Sequence, residues 1–314
     1  MFLLALTWVV LGAIAIVVIV MMICVNTAAF RDRAVLRFSS QVGLPLVSDA
    51  VSVAVRWHIR VRGSVMFGGG FVGLVVSAAL LFTNPSLGSA TFVWLIVTPA
   101  VLAGMAIGDI VMSLRGSLFR QRDGAPRIAR PTATTLRDYV TPWRLRLAPA
   151  CELAAGILCV VGITLGAAGR IDQRTFLTGP ALPSLALSLV VWLASTGAQR
   201  RVLRQRQPVA DTLELAWDDA FRGETLRSLR MLQTLVGLLA VAAAALGILQ
   251  ALDARTGAQW GSNEGLQFFT WGWLATIVIF VNGRARTQFR ERLWPDLTAI
   301  IEDRTAPGIS SGGT

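Results

Sequence analysis

The chain has 314 residues, of which 54% are hydrophobic and only 15% charged, so it carries more apolar surface than a water-soluble core can hide, and a soluble enzyme is excluded. Its net charge is +11 and all 29 basic side chains are arginine. Without lysine there is no ammonium for a Schiff base or a P-loop, which removes aldolase-like and nucleotide-hydrolysing chemistry.

Apolar stretches long enough, or nearly so, to cross about 30 Å of hydrocarbon at 1.5 Å per helical residue run over 2–25, 64–83, 90–114, 150–169, 181–198, 231–252 and 265–283. The expected fold class is therefore all-α integral membrane, with about seven transmembrane helices. The first stretch has no basic residue before its apolar core and is longer than the apolar region of a signal peptide, so it reads as a retained helix. Arg31, Arg33 and Arg37 follow it, which by the positive-inside rule puts the N-terminus outside and residue 26 onward in the cytoplasm. Alternation then makes 84–89, 170–180 and 253–264 the outer loops. They hold only Arg170, Arg174 and Arg255, balanced by Asp172, Asp253 and Glu264, so the inner face carries the whole of the +11. Trp57, Trp143, Trp217, Trp260 and Trp294 fall in connecting segments near these boundaries, where an amphipathic ring is favoured. The exclusive use of arginine fits a GC-rich bacterial genome, and the expected location is a bacterial cytoplasmic membrane with the C-terminus inside.

The chain also repeats. A tetrad follows each odd-numbered span: Phe30-Arg31-Asp32-Arg33, Phe119-Arg120-Gln121-Arg122, Leu203-Arg204-Gln205-Arg206 and Phe289-Arg290-Glu291-Arg292, at offsets of 89, 84 and 86. Before the even-numbered spans, Trp57, Ile59 and Arg60 match Trp143, Leu145 and Arg146 at an offset of 86. The predicted organisation is a lone helix with its linker over 1–44, three copies of a cytoplasmic segment plus helical hairpin over 45–130, 131–211 and 212–304, and a disordered tail over 305–314. The competing explanation for the tetrads is plain abundance of arginine at inner helix ends, where it meets the negative helix terminus and anionic lipid.

Of the cytoplasmic segments, 51–62 alternates Val51, Val53, Val55, Trp57, Ile59 and Val61 with polar or small residues, a strand-like period of two. A lone strand leaves its backbone unpaired, so an interfacial helix is expected instead. Residues 212–230 read as an amphipathic helix capped by Asp211, with Leu213, Trp217 and Phe221 on one face and Asp218, Asp219 and Glu224 turned away. Residues 123–134 are rich in Pro and Gly and read as a loop.

Motifs that carry chemistry are few. Gly68, Gly70 and Gly73 satisfy GxGxxG but lie inside an apolar span with no acid about 20 residues on, so the glycines read as close helix packing through Gly69-x-x-x-Gly73, echoed at Gly104/Gly108 and Gly162/Gly166. Gly308, Ser310 and Gly312 match a nucleophile elbow by letter alone, in a polar tail. Cys24, Cys151 and Cys159 show no CxxC spacing, and His58 is the single histidine, read as an interfacial side chain with a wet edge. No metal site, cofactor or catalytic residue is expected.

Asp109 and Glu152 are the acids inside spans. Each lies six positions from a flanking arginine, Arg115 and Arg146, hence about 9 Å below the arginine layer. Equal depth permits a meeting, and a carboxylate there needs a partner or a proton, so the pair reads as a structural ion pair with arginine or as a proton- or cation-coupling site. Thr98-Pro99 offers a kink, and Gln233, Gln250 and Asn282 add polar atoms.

The leading functional expectation is a non-catalytic bundle whose inner arginine clusters (Arg31, Arg33, Arg120, Arg122, Arg204, Arg206, Arg290, Arg292) dock anionic lipid head groups or an acidic cytoplasmic protein. The alternative is a small secondary transporter or channel using Asp109 and Glu152 near an inner gate. An intramembrane enzyme lacks a visible nucleophile and base, and no nucleic-acid partner is expected.

Overall fold

The computed structural model describes residues 2–45, 49–83, 90–114, 134–205, 212–257 and 292–295. Among them every regular element is a helix: α1 (Phe2–Asn26), α2 (Ala28–Val42), α3 (Asp49–Thr83), α4 (Ala90–Leu114), α5 (Leu136–Tyr139), α6 (Pro142–Ala167), α7 (Gln173–Thr178), α8 (Ala181–Arg204) and α9 (Thr212–Thr256). Four segments are long and apolar enough to cross a membrane, Ser52–Thr83, Pro142–Ala167, Gln173–Arg204 and Thr212–Thr256, and a fifth is added if α1 and α2, bent by 84°, count as one span. Within α4, Ala100–Met112 is a shorter apolar stretch. The chain is thus an all-α protein of membrane-spanning character. The span expected at 265–283, the cap Asp211, Trp260, Asn282, and Arg120, Arg122, Arg206 and Arg290 lie outside the described residues.

The α1–α2 corner follows from composition. α1 is apolar throughout, whereas Arg31, Asp32, Arg33 and Arg37 enter with α2 and turn it off the apolar axis. Thr27 breaks the helix in an extended conformation while its hydroxyl donates to the Cys24 carbonyl at 2.7 Å. α2 ends at Gly43, whose φ of 69° lies in the left-handed region that favours glycine and whose N–H returns to the Ser39 carbonyl.

Segment 51–62 is helical and continuous with the span after it, giving α3 35 residues, about 52 Å at 1.5 Å per residue. Helical spacing sorts its residues better than alternation does: Val55 and His58 are buried, while Val53, Arg56, Trp57 and Arg60 are exposed. α9 is longer still, 45 residues without a break, or about 68 Å. Both overrun a hydrocarbon slab of about 30 Å at the same, arginine-rich end, where they build a second layer. Its apolar core joins Val35 and Val42 of α2, Val55 of α3, Tyr139 of α5, Val202 of α8 and Trp217 of α9.

Several expectations are corrected here. Trp217 and His58 are not interfacial: Trp217 is completely buried, and His58 packs edge-on against Phe221 at 4.5 Å between centroids. Asp218 and Asp219 do not face away but are buried, with Glu224 intermediate. The first half of α9 is surrounded by α2, α3, α5, α8 and the Leu293–Trp294 segment, so it has no outward face on which to place charge. Trp57 and Trp143, by contrast, are exposed.

α3 and α4 form an antiparallel hairpin through the glycine stripe. A Cβ on Gly69 would strike the Gly104 carbonyl, one on Gly73 the Ala100 carbonyl, and one on Gly108 the Val65 carbonyl. At the far end, α7 lies as a plug: Phe176 is fully buried against Gly162 and Gly247, and Asp172 caps the helix by accepting from the Thr175 N–H at 2.9 Å and from its hydroxyl. Those two bonds hold the Asp172 carboxyl below its usual range.

Candidate functional site

Asp109 sits on α4 just beneath the charged layer, next to Ile110, which packs on that layer's core. It is 2% exposed. Arg62 of α3 grips it with both forks of the guanidinium: Nε donates to Oδ1, and Nη2 donates to Oδ2 at 2.7 Å. Glu152 of α6 is held elsewhere. Ser188 of α8 donates to its Oε2 at 2.9 Å, and its carboxylate lies beside Gly237 of α9. The two acids therefore serve different helix pairs, Asp109 locking α3 to α4 and Glu152 linking α6 to α8. Buried Glu152 Oε1 has no hydrogen-bond partner among the described residues.

From Glu152 toward the charged layer runs a polar seam between α8 and α9. Gln233, fully buried, donates from Nε2 to the Trp192 carbonyl and to Thr196 Oγ1, both at 3.1 Å. Its Oε1 accepts from Gln199 Nε2 at 3.1 Å and from Arg230 Nη1 at 3.0 Å. Each buried amide atom is thereby satisfied, as burial requires.

The charged layer contains a second set of internal charge pairs. Arg222 Nε donates to Asp218 at 3.0 Å, while its Nη2 donates to the Gln205 carbonyl at 2.8 Å, tying α9 to the end of α8. Arg227 pairs with Glu224 at 3.3 Å. Asp219 accepts from the Tyr139 hydroxyl at 2.9 Å and from Trp294 Nε1 at 3.0 Å. Burial, then the Asp219 charge, pushes the Tyr139 phenol well above its ordinary value and keeps it a donor. Tyr139→Phe removes a hydrogen bond to a buried carboxylate, and the expected loss is about 1.5–3 kcal/mol, read as a lower midpoint in chemical denaturation of the detergent-solubilised protein.

The arginines of the surface are arranged differently from these internal ones. At the end of α8, Arg200, Arg201 and Arg204 are exposed and line, with Gly197 and Gln205, an open cleft of about 390 Å³. None of the three is paired with an acid among the described residues. Arg33 and Arg292 are likewise exposed and Arg31 half-buried, whereas Asp32 of the first tetrad pairs at 3.3 Å with Arg56. Among the described residues no group of three His, Cys, Asp or Glu side chains is placed to hold a metal ion, and the three cysteines are free.

Arg62, Gln199, Gln233, Asp218 and Asp219 carry most of the buried polar geometry, and the sequence reading gave none of them a buried partner. The usable signal was register: with Gly69 set against Gly104 in an antiparallel hairpin, Arg62 comes within one turn of Asp109, inside the reach of its long side chain. Comparison with protein families, curated proteins and solved structures gives no match for the chain.

Proposed function

We propose that the protein is a non-catalytic, polytopic bundle of a bacterial cytoplasmic membrane whose arginine-rich inner face docks anionic lipid head groups. The observation that carries this reading is the division of labour among charges. The buried acids are matched inside the fold, Asp109 by Arg62 and Asp218 by Arg222, while Arg200, Arg201 and Arg204 stand exposed around a cleft without an acid partner among the described residues. Guanidinium groups are suited to phosphate because their planar fork donates two parallel hydrogen bonds.

The proposed topology has seven spans, N-terminus outside and C-terminus inside. A last crossing is supported by the two described ends that flank it: Gly257 follows α9 at its end remote from the charged layer, while Trp294 is hydrogen-bonded to Asp219 within that layer. Three repeated units are supported by α3, α6 and α9 leaving the charged layer in the same direction. Gly237 also packs against Cys151, which lies 86 residues earlier, one repeat away.

The test is retention of phospholipid through purification. With Arg200, Arg201 and Arg204 all replaced by Gln, phosphatidylglycerol recovered per protein is expected to fall by about tenfold or more, given that each charge-assisted hydrogen bond contributes roughly 1.5–3 kcal/mol, with phosphatidylcholine unchanged. Equal recovery from the triple variant removes the docking reading. An acidic protein lost in place of lipid redirects it to a protein partner.

A second reading, a proton- or cation-coupled transporter or channel, is favoured by one feature: buried Glu152 Oε1 without a hydrogen-bond partner among the described residues, at the head of the Gln233 seam. In that case Asp109→Asn with Glu152→Gln abolishes pH-dependent flux in liposomes at normal folded yield. Unchanged flux, or none in the unsubstituted protein, ends it.

A further inference from the structure

A groove of about 860 Å³ runs along the membrane-embedded part of the bundle between α4, α8 and α9. Its walls are mostly apolar, with alanines such as Ala103 on α4, Ala198 on α8 and Ala243 on α9 set among larger aliphatic side chains such as Ile107, Leu187 and Leu232. Along α8 it extends from Pro180 to Ala198, about 27 Å at 1.5 Å per residue, close to the thickness of the hydrocarbon. Its volume falls in the range, about 300–1,000 Å³, of cavities that take a single small organic molecule.

What distinguishes the groove is the end at which it stops. On α8 the lining residues Leu187, Val191, Ala194 and Ala198 follow one another at spacings of four, three and four, so they share one helical face. The next two positions of that face are Arg201 and Gln205, both lining the arginine cleft. The apolar face of α8 thus runs, one turn beyond its last alanine, into Arg201, which lines the cleft with Arg200 and Arg204. Hydrocarbon below and a phosphate-binding head above is the chemistry of one ligand class, a glycerophospholipid with an anionic head group.

We infer that α4, α8 and α9 form a binding site for one inner-leaflet anionic phospholipid, an acyl chain lying in the groove and the phosphate held by Arg201 and Arg204. This rests on the proposed docking function and on the sidedness that places the cleft at the inner surface, and it sharpens docking from a diffuse charged face to a stoichiometric site. Alanine at positions 194 and 198 leaves the width an acyl chain fills, and the apolar walls exclude water as a substitute occupant.

The experiment uses the full chain in vesicles of mixed phosphatidylglycerol and phosphatidylcholine, followed by detergent exchange and a count of phospholipid per protein. Ala198→Trp, which blocks the groove beneath the arginines, is expected to lower retained phosphatidylglycerol by about tenfold. Leu189→Trp, a bulky substitution at an exposed position on the opposite face of α8, is expected to leave it unchanged and controls for the added indole, while an unchanged denaturation midpoint of Ala198→Trp, whose site packs on the core of the charged layer, controls for folding. If Ala198→Trp retains lipid as the unsubstituted protein does, while loss of Arg200, Arg201 and Arg204 removes it, the groove site is overturned and the docking face survives. If neither change matters, both fall. A photoactivatable phenylalanine at position 198 supplies the identity of the occupant. Cross-linking to phosphatidylglycerol supports the site, whereas cross-linking to residues 265–283 of this chain or to a second copy overturns it.

Discussion

Arg62→Leu is expected to destabilise the protein by about 3–5 kcal/mol, because it leaves the Asp109 carboxylate buried without its guanidinium partner. The pair is well shielded, with the Asp109 side chain 3% exposed and that of Arg62 14%, so solvent screening offsets little of the loss. Asp109→Leu alone strands the cation and has a smaller effect, since a long arginine stem reaches toward the wet charged layer. The informative variant is the double replacement Arg62→Leu with Asp109→Leu. A buried ion pair is often neutral or stabilising to replace as a whole, so the double variant should recover most of the loss. Chemical denaturation of the four proteins in one detergent measures the cycle. A double variant as unstable as the sum of the singles would show that the two groups act independently, against the bidentate geometry.

Gly69→Val is the second large effect. In the α3–α4 hairpin a Cβ at this position falls on the backbone carbonyl of Gly104, and no side-chain rotation relieves that. Overpacking of an ordinary core costs about 1–3 kcal/mol. Here the helices themselves must separate, which also loosens Gly73 against Ala100 and Gly108 against Val65, so about 3 kcal/mol or more is expected, with reduced folded yield. Gly68, one residue away, faces open space. Gly68→Ala is therefore expected to be neutral or to stabilise by up to about 1 kcal/mol through helix propensity. Equal tolerance at both positions would mean that the helices do not pass at Gly69.

Much of this hairpin was legible beforehand, because small residues spaced by four are a backbone-level signal: they report how closely two helices approach, whatever else surrounds them. Asp109 was legible too, since a carboxylate in an apolar run demands a partner. Its partner was recoverable only by combining the two signals, register and charge. Glu152 was found but not its neighbours, because Ser188 and Gln233 look like ordinary span residues until α8 and α9 are set side by side. The charged layer was hardest to read. Leu213, Trp217 and Phe221 suggested one buried face, and Asp218 and Asp219 a wet one. Helical periodicity separates apolar from polar positions; it does not distinguish a helix at a surface from a central helix whose charges are paired within the layer. The same limit placed His58 at an interface, although Phe221 covers it. In 51–62 the alternating pattern pointed to a strand, yet with no neighbouring edge to bond, the backbone satisfies itself as the first turns of α3.

Sidedness is the premise on which docking rests, and site-directed labelling tests it most directly. With Cys24, Cys151 and Cys159 replaced, single cysteines are introduced as Arg204→Cys, at the arginine end of α8, and Arg174→Cys, on α7 at the opposite end. A membrane-impermeant maleimide applied to intact cells is expected to label position 174 and spare 204, and to label both after lysis. Labelling of 204 in intact cells with 174 protected would place the arginine layer outside and contradict the account.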